Sequence, residues 1–117
     1  MKTELALAGG VRYEKAKELF LSYCPALDLY SQAVTKERAE AALRSAVSLF
    51  IAACRYQGRL EAVLQDAEVF RYGSTFHVPP DAERAYTQTL KKHYDHIFTV
   101  SIPLDLESDV LRTASAP

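Results

Sequence analysis

The chain lacks tryptophan and has only two cysteines, one methionine, four glycines and five prolines in 117 residues. The two cysteines, Cys24 and Cys54, stand far apart with no CxxC or CxC spacing. They offer neither a disulfide framework nor a thiolate metal set. So few glycines and prolines exclude collagen-like and low-complexity chains. No run approaches the roughly 20 apolar residues that a membrane-spanning helix needs. The longest, 46–54, is interrupted by Ser48. The N-terminus places Glu4 inside its apolar stretch, which is too short for a secretory signal. A cytoplasmic location with reduced thiols is the expectation. The patterns GxSxG, GxGxxG, HExxH and Walker A are all missing, so no familiar hydrolase, nucleotide or zinc-protease signature is present.

An excess of one charge is missing too. Fourteen basic residues face 15 acidic ones, for a net charge of −1. A dedicated nucleic-acid binder usually carries a basic surplus. The balance is nevertheless an average of unlike halves, +3 over residues 1–60 and −4 over residues 61–117. Such a charge dipole steers a partner or a second copy of the chain.

What is present is ordinary globular material, 49% hydrophobic and 25% charged. About two-thirds of the unfolded surface of a chain this size is buried on folding, enough for one core. Segment 1–10 ends in Gly9-Gly10 and reads as a flexible lead-in. Residues 11–112 read as one compact domain and 113–117 as a flexible tail. Ala16, Leu19, Phe20 and Tyr23 fall at helical spacing, and Pro25 ends that segment before a short helical turn that runs to Ala33. Thr35 is a strong helix N-cap, with Glu37 in the first turn. The helix 35–57 then runs to a left-handed stop at Gly58. Its second half, 47–54, is apolar on nearly every side, which makes it the central helix.

A short amphipathic helix follows at 59–67. Residues 69–78 then predict a β-hairpin turning at Gly73-Ser74, with Phe70, Tyr72, Thr75 and His77 on one face. Pro80, Asp81 and Glu83 start a further helix. Phe98, Val100 and Ile102 alternate with Thr99 and Ser101 as a half-buried strand over 97–102, and Leu106, Val110 and Leu111 suggest a last short helix. The expected fold is therefore α+β. About four helices surround the long helix 35–57, with a small sheet of about three strands, the hairpin 69–78 plus 97–102.

Chemistry is thin. His93 and His96, at i and i+3, with His77 on the hairpin, are the candidate metal or acid–base set, but a surface or structural role is the preferred reading. Cys54 sits among Ile51, Ala52 and Ala53 and reads as core. Cys24, beside Pro25, is more open. No metal and no cofactor are expected. The aromatic residues carry more information: seven tyrosines and five phenylalanines. Tyrosine and phenylalanine are enriched in protein interfaces. Tyr56, Phe70, Arg71, Tyr72 and Phe76 are expected to gather near the helix-to-hairpin junction as a binding surface.

The leading expectation is a non-enzymatic protein-binding module: an adaptor, inhibitor or regulator, such as an accessory protein of a mobile element. Its partner would be another protein or a second copy of itself as a homodimer. The alternative is a nucleic-acid-associated regulator that uses the basic N-terminal half. The second alternative is an enzyme dependent on His77, His93 and His96.

Overall fold

The computed structural model describes residues 3–104. The chain opens with a long strand, β1 (Thr3–Glu14). It alternates with period two, so Leu5, Leu7, Gly9 and Val11 share one face and Ala6, Ala8, Gly10 and Arg12 the other. Two antiparallel hairpin connections follow. β1 turns through residues 15–18 into β2 (Leu19–Cys24), and β2 turns through 25–28 into β3 (Leu29–Ala33). The last residue of each turn, Glu18 and Asp28, adopts left-handed backbone with φ of +53°.

Helix α1 (Lys36–Tyr56) is capped at its start by Thr35, whose side chain accepts from the Arg38 amide at 3.1 Å. Its buried residues, Ala39, Leu43, Val47, Ile51 and Cys54, recur every three or four positions and form the stripe that packs on the sheet. The Ser22 hydroxyl on β2 donates to the Ala39 carbonyl at 2.9 Å, so a buried polar group is satisfied while strand and helix are locked together. Beyond Gly58, at φ +69°, comes α2 (Leu60–Asp66). The predicted hairpin follows as β4 (Phe70–Tyr72) and β5 (Thr75–His77), with Gly73 at φ +64°. Helix α3 (Pro80–His93) has Pro80 in its first turn, and β6 (His96–Leu104) closes the described chain.

The strands form one six-stranded mixed sheet with the order β3-β2-β1-β5-β4, and β6 lies along the other edge of β1. β1 is the spine. One edge pairs antiparallel with β6 from Thr3↔Leu104 to Val11↔His96. The other edge is shared: β2 takes Gly10 to Glu14, and β5 pairs in parallel at Glu4 and Leu5. The sheet curls because β1 feeds two different neighbours along one edge.

This corrects the expected architecture. Among the described residues, three helices and a six-stranded curled mixed sheet replace about four helices around a central helix with a sheet of about three strands. The segment expected as a helix over 11–23 is the end of β1, a turn and β2, and the turn expected to run to Ala33 includes β3. Thr3–Gly10, read as a lead-in, lies in the central strand. Its two glycines are there for closeness rather than flexibility. A Cβ at Gly9 would lie 3.1 Å from Leu43, Phe98 and Val100, and one at Gly10 would lie 2.8 Å from Leu90 and 2.9 Å from Tyr94. Helix α1 therefore covers one face of β1, and α3 covers the other. The helix expected at Leu106–Leu111 and the tail 113–117 lie outside the described residues. Among the described residues, no helix is long and apolar enough to cross a membrane.

Candidate functional site

The five residues expected to form one surface lie on three elements, α1, β4 and β5. Tyr56 ends α1 and is 94% exposed. Phe70 and Tyr72 stand on β4, 43% and 44% exposed. Arg71 points to the other side of that strand, where it lies opposite Phe76, and its Nε donates to the Gly73 carbonyl at 2.9 Å. Phe76 is half-buried and packs against the core. Tyr72 stacks on His77 with ring centroids 4.2 Å apart. Phe70 and Tyr72 thus share a small aromatic face at the β4 edge. Among the described residues, Tyr56 makes no ring contact with it.

Nor do the histidines meet. His77 is held against Tyr72, and its Nδ1 lies 2.9 Å from the Val78 carbonyl. His93 sits in the last turn of α3 and His96 at the start of β6, both exposed. Among the described residues, no three of His, Cys, Asp and Glu are grouped to hold a metal ion. Both cysteines are buried and free. Burial pushes the Cys24 thiol up to about 11, which leaves little thiolate for nucleophilic work at neutral pH.

The strongest site-like geometry lies on the α3 face of the sheet and at its β6 edge. Helix α3 buries only Leu90 fully. It crosses β1 over Gly10 and leaves a groove on each side. One groove, about 400 Å³, is floored by Ala6 and Ala8, with Ile97 and Thr99 of β6 on one side and Glu83 and Thr87 of α3 on the other. The second, about 360 Å³, lies over Leu21 between Tyr30 and Tyr94.

β6 itself is an open edge. It pairs with β1 on one side, and no other strand among the described residues pairs with it. Its nine residues, HIFTVSIPL, include no Asp, Glu, Lys or Arg. Natural edge strands are commonly protected by charge, bulges or proline, and here only Pro103 near one end serves that purpose. The alternation at 97–102 made the strand legible in sequence. That it is an edge follows only from the pairing of β1. The tyrosines of the second groove were not singled out in sequence. Their signal is arithmetic: a four-residue turn at 25–28 places Tyr23 opposite Tyr30.

The fold and this geometry define, among the described residues, a small α+β domain with a long unpaired edge at β6, shorter edges at β3 and β4, and two grooves on one face. Comparisons of the chain with protein-family models, curated proteins and solved structures find no match.

Proposed function

We propose that this protein is a non-enzymatic, cytoplasmic protein-binding module, an adaptor or regulator that accepts an extended strand of its partner along β6. The observation that supports this reading is the edge just described, nine residues long and free of Asp, Glu, Lys and Arg. Strand addition to such an edge satisfies exposed backbone donors and acceptors, while alternate side chains supply selectivity. Here Ile97 and Thr99 lead into the 400 Å³ groove, which receives side chains of the added strand.

The first partner is a second copy of the chain. An antiparallel strand pair is compatible with a two-fold axis, so two β6 edges join into one continuous sheet across a homodimer. Phe70 and Tyr72 form a second contact surface at the opposite edge of the sheet, with Arg71 on the other face of the same strand. Tyr56 and Phe76 belong to neither surface.

Light scattering over a concentration series tests this directly. The native chain is expected to shift from monomer to dimer. The variant carrying Ile97→Lys and Thr99→Lys is expected to stay monomeric while unfolding at a similar temperature, because both side chains are exposed. Hydrogen exchange at β6 should slow as the dimer forms. A chain that remains monomeric, with β6 exchange independent of concentration, would overturn self-pairing.

A further inference from the structure

The second groove carries chemistry that strand addition does not use. Tyr30 stands on the edge strand β3, 65% exposed, with one ring face stacked on Tyr23 at a centroid distance of 4.3 Å and an interplanar angle of 23°. Tyr23 stacks in turn on Tyr94 at 6.0 Å and 19°. The Arg12 guanidinium lies 5.9 Å from the centre of the Tyr94 ring. Tyr30 and Tyr23 are set by the pairing of β3 with β2, while Tyr94 follows the last turn of α3 and sits over Gly10 of β1. Burial, and then the hydrogen bond that Tyr23 donates to Asp28 at 3.0 Å, raise the Tyr23 phenol pKa and keep that ring neutral.

One rung along, Leu21 floors a space of about 360 Å³ walled by Tyr30 and Gln32 on one side and by Arg12 and Tyr94 on the other, with Lys17 at its mouth. That volume falls at the small end of ligand sites. The charged neighbours are mixed. Arg12 donates to Glu14 at 2.8 Å, and this contact raises the guanidinium pKa while lowering that of the carboxyl. Glu18 and Asp28 are exposed in the two turns. Lys17 makes no ion pair among the described residues. A guanidinium has five N–H donors, and the contacts of Arg12 to Glu14 and Tyr94 leave others for a ligand.

An ordered aromatic face, an amide side chain and two cations around an apolar floor match one ligand chemistry. We propose that this groove binds a nucleoside monophosphate unit, its base held against Tyr30 and Tyr94 over Leu21 and its phosphate at Lys17 and Arg12. The stacking wall tolerates any base, because every base presents a π face. The unit is either a free nucleotide or one residue of a single strand. This site is independent of the β6 edge.

Titration of the full chain with AMP, UMP and inorganic phosphate, and with a fluorescently labelled oligo-dT at low and near-physiological salt, tests the proposal. Nucleotides are expected to bind more tightly than inorganic phosphate. Tyr30→Leu should weaken nucleotide binding by about tenfold, and Tyr30→Phe should restore it. Lys17→Gln should weaken binding several-fold and flatten its salt dependence. Affinity that rises with oligonucleotide length marks the single strand as the source; equal affinity marks the free nucleotide. Absence of binding at low salt overturns the proposal. So does binding of phosphate equal to that of nucleotide, or binding unchanged in a folded Tyr30→Leu variant.

Discussion

The two faces of β1 are built for different ends. Under α1, the strand presents Leu5, Leu7, Gly9 and Val11 to a helix with a five-residue buried stripe, and Leu5 and Leu7 join Leu43, Val47, Ile51 and Cys54 in one core cluster. Under α3, it presents Ala6, Ala8, Gly10 and Arg12 to a helix that buries only Leu90 fully, with a groove on either side. Adjacent residues of one strand thus serve opposite purposes. Large side chains facing α1 hold the fold, while small ones facing α3 leave space. Stability is concentrated on one face, and accessible aromatic and edge chemistry on the other.

The sharpest way to break that contrast is to remove the same side chain from each face. Leu43 and Leu90 are both completely buried. Leu43→Ala, in the continuous core, is expected to cost about 3–4 kcal/mol, because its neighbours cannot collapse into the space. Leu90→Ala is expected to cost nearer 2 kcal/mol, since α3 is flanked by grooves and settles toward Gly10. Denaturant unfolding of the two variants measures both, and equal losses would erase the distinction between the faces.

A pH test follows in size. Burial raises the Cys24 thiol from its usual 9.0 to about 11. Between those values the unfolded chain releases a proton that the folded one retains, so stability falls as pH rises from about 9 to about 11, by up to ~1.4 kcal/mol per pH unit. Below pH 9 both states hold the proton and the thiol contributes no slope. Denaturation curves of the native chain and of Cys24→Ala across that range should differ in slope, the variant being flatter.

Smaller effects belong to the periphery. Thr35→Ala removes the cap of α1 and is expected to cost about 1 kcal/mol by thermal unfolding. Tyr72→Ala, on the exposed hairpin face, is expected to change stability by less than about 1 kcal/mol. A loss beyond about 3 kcal/mol would make Tyr72 part of the core rather than of a binding surface.

The legible parts of the chain are those with local chemistry. Thr35, Gly58, Gly73 and Pro80 each announce a boundary by a backbone or capping preference, and each stands where a helix or hairpin begins or ends. The three N-terminal strands were hidden for two physical reasons. Their turns place Glu18 and Asp28, rather than glycine, in left-handed backbone, and Pro25, which opens the second turn, equally suits the start of a helix. Gly9-Gly10, which resembles a hinge, instead admits helices from both sides. Of the candidate surface, Phe70 and Tyr72 emerge together, while Tyr56 and Phe76 are parted because the end of α1 and the inner face of β5 belong to different layers. The tyrosine row needs the β2–β3 register and the end of α3 together, which no local pattern supplies.

The pairing Thr3↔Leu104 has a consequence for biosynthesis. β1 needs β6, the last described strand, as its neighbour. Until β6 has been made, that edge of β1 waits for its partner, and closing so long a loop is slow compared with forming the local hairpins. The chain is thus exposed to aggregation until β6 pairs, and molecules truncated ahead of β6 lack the strand that covers this edge of β1.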